Sequence, residues 1–289
     1  MHALAVTASR PVTPAEILGA WTLDPTTLGL LALGALLYAA GAARLRRGRR
    51  SPRPARTAAY YGGLAALTAA LVSPLHALGE TLFSAHMVQH LTLVLVAAPL
   101  LASGAPVLTG MLGIPPGPRR NLLALRRLWP WRAARRSLRN PVVVWSLGAV
   151  AMWSWHLPGL YRAALAAPAT HALEHASFLL TALLLWSLVL RTGPRRRLAY
   201  GPAILLLFGT ALQGAVLGAV LAFAARPLYE LAGTRAWGLA PLADQQLAGL
   251  IMWVPAGAVY IGAMATLFWR WLQEMDATTR PAAAAEERT

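Results

Sequence analysis

The sequence contains no cysteine, and this absence excludes several kinds of site at once. Disulfides, thiolate-bound metals and thiol redox chemistry all require cysteine sulfur, so none of them can operate in this chain. Any metal ion would have to be held by histidine, methionine, carboxylate or amide groups.

Charged residues are also scarce, because they make up 12% of the 289 residues, whereas a soluble domain carries about 25%. Hydrophobic residues make up 57%, and they are gathered in runs that are too long for the core helices of a soluble protein. The composition therefore predicts an all-α, polytopic membrane protein that has the lipid membrane as its surroundings.

Lysine is absent, and the 26 basic residues are all arginines, set against 10 acidic residues for a net charge of +16. Such a charge could indicate a nucleic-acid-binding protein. However, most of the arginines lie in short loops between apolar runs, and no soluble basic module is present to hold a nucleic acid. We therefore expect no nucleic-acid partner and interpret the arginines as a topology signal.

Seven apolar runs are predicted to cross the membrane as helices. Their approximate bounds are 26–43, 57–73, a run through His86 that ends near 112, 141–156, 170–190, 201–225 and 245–269. We expect residues 1–25 to form an N-terminal extracytoplasmic segment, 26–272 the seven-helix transmembrane domain, and 273–289 a disordered cytoplasmic tail. Pro99 and Pro106 are predicted to kink the third helix.

Arginine counting gives the orientation of these spans. The loops after the first, third and fifth spans, together with the C-terminal tail, contain 22 of the 26 arginines. By the positive-inside rule these segments face the cytoplasm, so the N-terminus lies outside and the C-terminus inside. The longest basic loop, 113–140, is amphipathic and is predicted to lie on the membrane surface.

On this topology six of the seven histidines fall at one depth, in the outer half of the membrane; the seventh is His2. Polar side chains in an apolar segment are costly and indicate a functional site. The residues expected at this depth are His76, Glu80, His86, His90, His156, His171, Glu174, His175, Asp244 and Gln245.

Two histidine pairs have the spacing that allows both imidazoles to bind one ion. His86 and His90 are four residues apart, as are His171 and His175, so each pair shares a helix face at about 6 Å along the axis. Facing each other, the pairs would offer four imidazoles to zinc or Cu(II). Alternatively, these histidines are hydrogen-bonded to the backbone or water at the membrane interface.

The remaining candidates have supporting roles. We expect His76 and His156 to exchange metal with the paired histidines. Glu174 is a ligand, a hydrogen-bond acceptor for an imidazole or a solvated carboxylate. Asp244 and Gln245 close the site from the last helix, or Asp244 only caps that helix. Met87 is a soft ligand or core packing.

Other chemistries fit parts of this pattern. Two histidines on facing membrane helices can bind haem, as in b-type cytochromes. The run from His171 to His175 also matches the H-x-x-E-H pattern of zinc proteases, although no histidine follows it to complete the site. A scaffold without metal is a third alternative. We favour a binding protein over an enzyme.

The order of several short motifs resembles the CtaG family, polytopic assembly factors of caa-type cytochrome c oxidase. The matching motifs, which cover about residues 57 to 272, are Ser73-Pro74-Leu75, the run from Leu82 to His90, Trp155-His156-Leu157-Pro158, the run from His171 to Phe178, and the run from Pro241 to Gly249. The resemblance implies a role in making active cytochrome c oxidase in the cytoplasmic membrane of a bacterial cell, with oxidase subunits as partners and copper as the metal. Zinc and haem remain the alternatives.

Overall fold

The computed structural model describes residues 11–48, 53–193, 198–229 and 233–286, with side chains as far as residue 277. This part of the chain is helical and contains no strand, which confirms the all-α prediction. The first helices are α1 (Pro25–Arg47), α2 (Pro54–Leu71), α3 (Pro74–Gly79), α4 (Phe83–Leu91), α5 (Ala98–Ser103), α6 (Pro106–Gly113), α7 (Pro116–Leu125) and α8 (Trp129–Ser137). The later helices are α9 (Pro141–Trp155), α10 (Pro158–Ala166), α11 (Pro168–Val189), α12 (Tyr200–Ala222) and α13 (Pro241–Glu286).

Proline sets where most of these helices begin. Its fixed φ suits the first helical turn, where its missing N–H would have no partner within the helix. Pro106, predicted to kink the third span, instead begins the separate helix α6, after Ala105 in a left-handed conformation (φ 51°). Pro99 follows the π-helical turn Thr92–Ala97, and this wider turn accommodates a ring that would clash with a regular helix.

Five helical segments are long and apolar enough to cross a membrane: Pro25–Arg47, Phe83–Ser103, Pro168–Val189, Tyr200–Ala222 and Pro241–Ala277. They confirm a multi-pass membrane protein. The two other predicted spans are also helical, as α2 and the shorter apolar helix α9. The count of seven crossings stays a prediction.

The last predicted span forms the first part of α13. This helix continues past residue 272, so the structure describes most of the predicted tail as helix, whereas residues 287–289 lie outside the described part. The N-terminal residues 1–10, including His2, also lie outside it. The division into three segments stays a prediction.

Helices α12 and α13 pack closely through two glycines. A Cβ on Gly218 would lie 2.8 Å from the carbonyl oxygen of Gly249, and one on Gly249 would lie 2.5 Å from that of Gly218. Small residues of this kind let membrane helices approach each other closely. Gly214, which precedes Gly218 by one turn, has no such neighbour within 4 Å.

The ends of the bundle differ in chemistry. At one end the Thr22 N–H donates to the Val72 carbonyl, so the beginning of α1 lies beside the end of α2 and the beginning of α3. At the other end Arg44 donates to the carbonyls of Leu112 and Ile114, just before the basic helix α7. The histidines occupy the first end. Which end faces outward stays a prediction.

Candidate metal centre

Three helices bring the central residues of the site together. Helix α3 carries His76 and is followed by Glu80; α4 carries His86 and His90; α11 carries His171, Glu174 and His175. The residues on α4 and α11 repeat every three or four positions, so each helix directs its set toward the other. The pairing of the two H-x-x-x-H segments expected from the sequence is therefore present in the fold.

Four of these side chains form an inner group. The group consists of His86, His171, Glu174 and His175, and each offers a ligand atom such that all four atoms lie within 4.8 Å of one another. All four residues are buried, with exposures of 0 to 7%. His90 is not a member of this set, whereas Glu174, for which the sequence left the role open, is one.

An outer group lies beside the inner one. His76, Glu80 and His171 offer ligand atoms that also lie within 4.8 Å of one another, and His76 and Glu80 are partly exposed. His171 belongs to both groups. Its Nδ1 lies 3.6 Å from Glu80 Oε1, while its Nε2 is buried and has no hydrogen-bond partner in the described part of the chain. The two groups therefore form a continuous path from the half-exposed to the buried position.

Glu174 supplies the negative charge at the centre of the site. Its Oε1 lies 3.3 Å from His86 Nε2 and 3.6 Å from His90 Nε2. Its Oε2 is buried without a hydrogen-bond partner among the described residues. A buried carboxylate is costly unless a positive charge or donors compensate it, and a cation held between the imidazoles would do so.

Unpaired nitrogen atoms also indicate that a cation could be held between the imidazoles. Nδ1 of His86, Nε2 of His171 and Nε2 of His175 are buried without a hydrogen-bond partner in the described part of the structure. Buried polar atoms are ordinarily satisfied, so several unpaired ones in one place require an explanation. Three imidazoles and one carboxylate suit a four-coordinate ion such as zinc or Cu(II). The residues present therefore fit a metal.

Gln89 is a positioning residue that sequence analysis missed. Its side-chain amide donates to the Ala70 carbonyl (2.8 Å) and to His76 Nδ1 (2.9 Å), so the imidazole turns its Nε2 toward Glu80. Gly79 allows this arrangement, because a Cβ there would lie 2.8 Å from Gln89 Oε1. A buried amide one turn after His86 within an apolar run is the sequence signal that could have revealed it.

His76 is kept in its neutral form by its surroundings. Burial lowers the pKa of His76 below its usual 6.5, and the neighbouring His171 lowers it further, although the carboxylate of Glu80 opposes them. In the neutral ring the Gln89 amide occupies the lone pair of Nδ1 and leaves the proton on Nε2, so that amide must turn away before Nδ1 can bind a metal ion.

Asp244 and Gln245 hold the fold around the site. The Asp244 carboxylate accepts hydrogen bonds from the backbone N–H groups of Phe83 (2.7 Å) and Ser84 (3.1 Å) and from the Ser84 hydroxyl. It therefore caps the neighbouring helix α4, where a negative charge is favoured. Gln245 accepts from the Leu228 N–H. Neither residue belongs to the two groups described above.

His156 and Met87 lie next to the groups. His156 follows the last residue of α9, and its Nδ1 donates to the Met152 carbonyl at 2.7 Å. Met87 is buried in an apolar cluster with Phe83 and Tyr161. The burial of Tyr229, whose hydroxyl donates to the His156 carbonyl, raises the pKa of that phenol to about 12, so it remains a donor.

Comparison with known proteins identifies the family. Residues 36–274 match the family model of the cytochrome c oxidase caa3 assembly factor. Uncharacterized proteins of Mycobacterium bovis (Mb0105) and Mycobacterium tuberculosis (MT0111) are each 28% identical over 292 residues, which is 96% of this chain but 43% of theirs. The chain thus spans less than half the length of these relatives. The search of solved structures found no match. Because the family model covers most of its length, including every residue of the inner and outer groups, this chain belongs to the caa3-type cytochrome c oxidase assembly factor family, Caa3_CtaG.

Proposed function

We propose that this protein binds copper at the inner group and assists the formation of a copper centre in cytochrome c oxidase. The observation that carries the proposal is the convergence of three buried imidazoles and one carboxylate within 4.8 Å, in a member of an oxidase assembly family. The ion is cargo that the protein receives and gives up, and an oxidase subunit is the receiving partner. The arginine bias supports an outward-facing site, on the side from which extracytoplasmic copper arrives.

The two groups support a route for the ion. Copper would first meet His76 and Glu80, which are partly exposed, and then move to the inner group with His171 as the ligand that both groups share. Exchange of one ligand at a time avoids releasing a bare ion, whose desolvation in a membrane protein is expensive. Glu174 would hold the ion electrostatically at the buried position. Gln89 would hold His76 in the metal-free protein and release Nδ1 of its imidazole to the arriving ion.

Haem is the second candidate, because α4 and α11 place histidines opposite each other. The geometry favours a single ion. The imidazole planes of His86 and His171 are stacked with centroids 5.5 Å apart, and a carboxylate lies among them. A porphyrin would have to separate these rings, whereas an ion fits between ligand atoms that already converge. An optical spectrum of the purified protein distinguishes the two, since bound haem gives a Soret band.

The proposed function is tested in cells that lack this protein. Wild-type protein should restore copper content and activity of the oxidase, and His86→Ala/His175→Ala should not, because it removes two inner-group ligands from two helices. His2→Ala, which changes the histidine outside the predicted set, serves as the matched control. Full oxidase activity with the double variant at normal protein level would overturn the proposal.

A further inference from the structure

We propose that the helix bundle contains a second copper site, selective for Cu(I), in a cavity lined by methionine next to the inner group. This inference deepens the proposed copper function and rests on it. The site differs in place and in chemistry from the inner and outer groups, because its donors are thioethers and neutral imidazoles.

The cavity has a volume of about 110 Å³ and lies among α4, α9, α11, α12 and α13. Its walls are mostly apolar. Along α4 it extends from Met87 past His90 to Val94, so it continues the buried path beyond the inner group toward the middle of the bundle. The residues that give it donor chemistry are Met87, Met152, Met252, His90 and His156.

Methionines from three helices line this cavity. Met87 on α4, Met152 on α9 and Met252 on α13 all line it, and these are three of the seven methionines in the chain. A single methionine in a membrane helix is ordinarily packing. Three methionines from three helices around one cavity, together with two imidazoles, instead make a set of soft donors, which selects Cu(I) over harder ions.

His156 has the geometry of an imidazole prepared to bind a metal. A backbone carbonyl can only accept, so the 2.7 Å contact with Met152 fixes the proton on Nδ1 and leaves the lone pair on Nε2. That Nε2 is buried and has no hydrogen-bond partner in the described part of the chain. A hydrogen bond from the other ring nitrogen to a carbonyl is the usual way in which metal-binding histidines are held.

His90 connects the two sites. Its Nε2 lies 3.6 Å from Glu174 at the inner group, its ring lines the cavity, and both ring nitrogens are buried without hydrogen bonds to described residues. A rotation of one imidazole could therefore serve either site. His90 is conspicuous because it lies outside the inner group, although it shares a helix face with His86.

Charge also favours Cu(I) in the cavity. Among its lining residues there is no carboxylate, so only neutral groups would stabilise the ion. Because the desolvation penalty rises with charge, a monovalent ion is far cheaper to bury among neutral ligands than a divalent one. The inner group contains Glu174 and suits a divalent ion better. The ion is taken up as Cu(I), so the cavity needs no electron donor.

The test uses X-ray absorption at the copper edge on the purified full-length protein, loaded with Cu(I) under ascorbate in thiol-free buffer. Because the chain has no cysteine, any sulfur bound to copper must come from methionine. Wild type should show sulfur scatterers. Met87→Leu/Met152→Leu/Met252→Leu should lose them, and His156→Ala should weaken Cu(I) binding about tenfold or more.

Matched variants separate this site from the inner group. Met264→Leu makes the same change on α13 at a residue that does not line the cavity, and it should keep the sulfur signal. His171→Ala/His175→Ala should keep the sulfur signal and lose the divalent metal. Copper bound by nitrogen and oxygen alone in wild type, or an unchanged sulfur signal in the triple variant, would overturn the inference. The proposed function fails separately if the histidine variant retains its divalent metal and still supports oxidase assembly.

Discussion

At the scale of single residues, Glu174 is the one carboxylate of the inner group. It is buried, it lies within 3.3 to 3.6 Å of two imidazoles, and one of its oxygens has no hydrogen-bond partner in the described structure. Oε1 is hydrogen-bonded to His86 Nε2, but the unpaired Oε2 of this buried carboxylate would destabilise the metal-free protein, and a bound cation would relieve that cost. The proposed metal binding would therefore be coupled to folding through this one side chain.

This coupling predicts opposite effects of Glu174→Gln on binding and on stability. Metal affinity should fall about 10- to 100-fold, because the amide cannot supply the charge. The metal-free protein should be as stable as wild type or more stable, because a buried charge is removed. Metal titration and thermal unfolding in detergent measure the two effects. Glu274→Gln, near the opposite end of the bundle, is the control, and equal metal affinity in Glu174→Gln would contradict the prediction.

Asp244 is predicted to act on stability and not as a ligand. Asp244→Ala removes the acceptor for two backbone N–H groups and one hydroxyl at the beginning of α4. The free energy of unfolding should drop by about 2–3 kcal/mol, since buried donors lose a charged partner. Denaturation of the metal-free protein measures it. Loss of metal without any loss of metal-free stability would instead indicate that Asp244 binds the ion.

At the scale of helices, the contact between α12 and α13 holds the bundle around the site and depends on Gly218 and Gly249. Gly249→Ala should destabilise the protein by about 1–3 kcal/mol, because the new methyl group would overlap the backbone of α12. Gly214→Ala is the matched control. It should be neutral or slightly stabilising, since nothing lies within 4 Å of its Cβ position and alanine favours helix. Equal stability of the two variants would contradict the close contact.

The positions of the helical spans could be predicted from the sequence, because long apolar runs are enough to indicate them. Each predicted span is helical, and the resemblance to an oxidase assembly family is confirmed. The ends and caps of the helices could not be predicted where they depend on contacts between distant parts of the chain. The third span ends at Ser103 because the chain turns at Ala105, and α4 is capped by a carboxylate 160 residues away. Neither the turn at Ala105 nor the cap of α4 is marked by a pattern in the neighbouring sequence.

The candidate site, too, could be predicted from the sequence only in part. Helical spacing and arginine bias were enough to bring His86, His171 and His175 together. They could not show that Glu174 and not His90 belongs to the inner group, because this depends on how α4 and α11 are rotated about their axes. The roles of Glu80 and Gln89 were missed for a similar reason, since a short helix after α2 folds back against α4.

At the scale of the whole molecule, orientation determines which compartment can deliver metal. The absence of cysteine makes the topology easy to measure. Leu157→Cys, beside His156, should react with an impermeant thiol reagent in intact cells, and Leu125→Cys, in the basic segment, should react only after the membrane is opened. Both positions are exposed in the structure. The reverse labelling pattern would place the metal site in the cytoplasm.

The most direct test of the central claim is elemental analysis of the protein purified from copper-replete cells. Wild type and His2→Ala should contain copper, and His86→Ala/His175→Ala should contain clearly less, because two of the four inner-group ligands are absent and only the methionine-lined cavity could still hold copper. An equal copper content in all three proteins, or a wild type that carries no copper, would contradict the claim that this histidine and glutamate cluster binds copper.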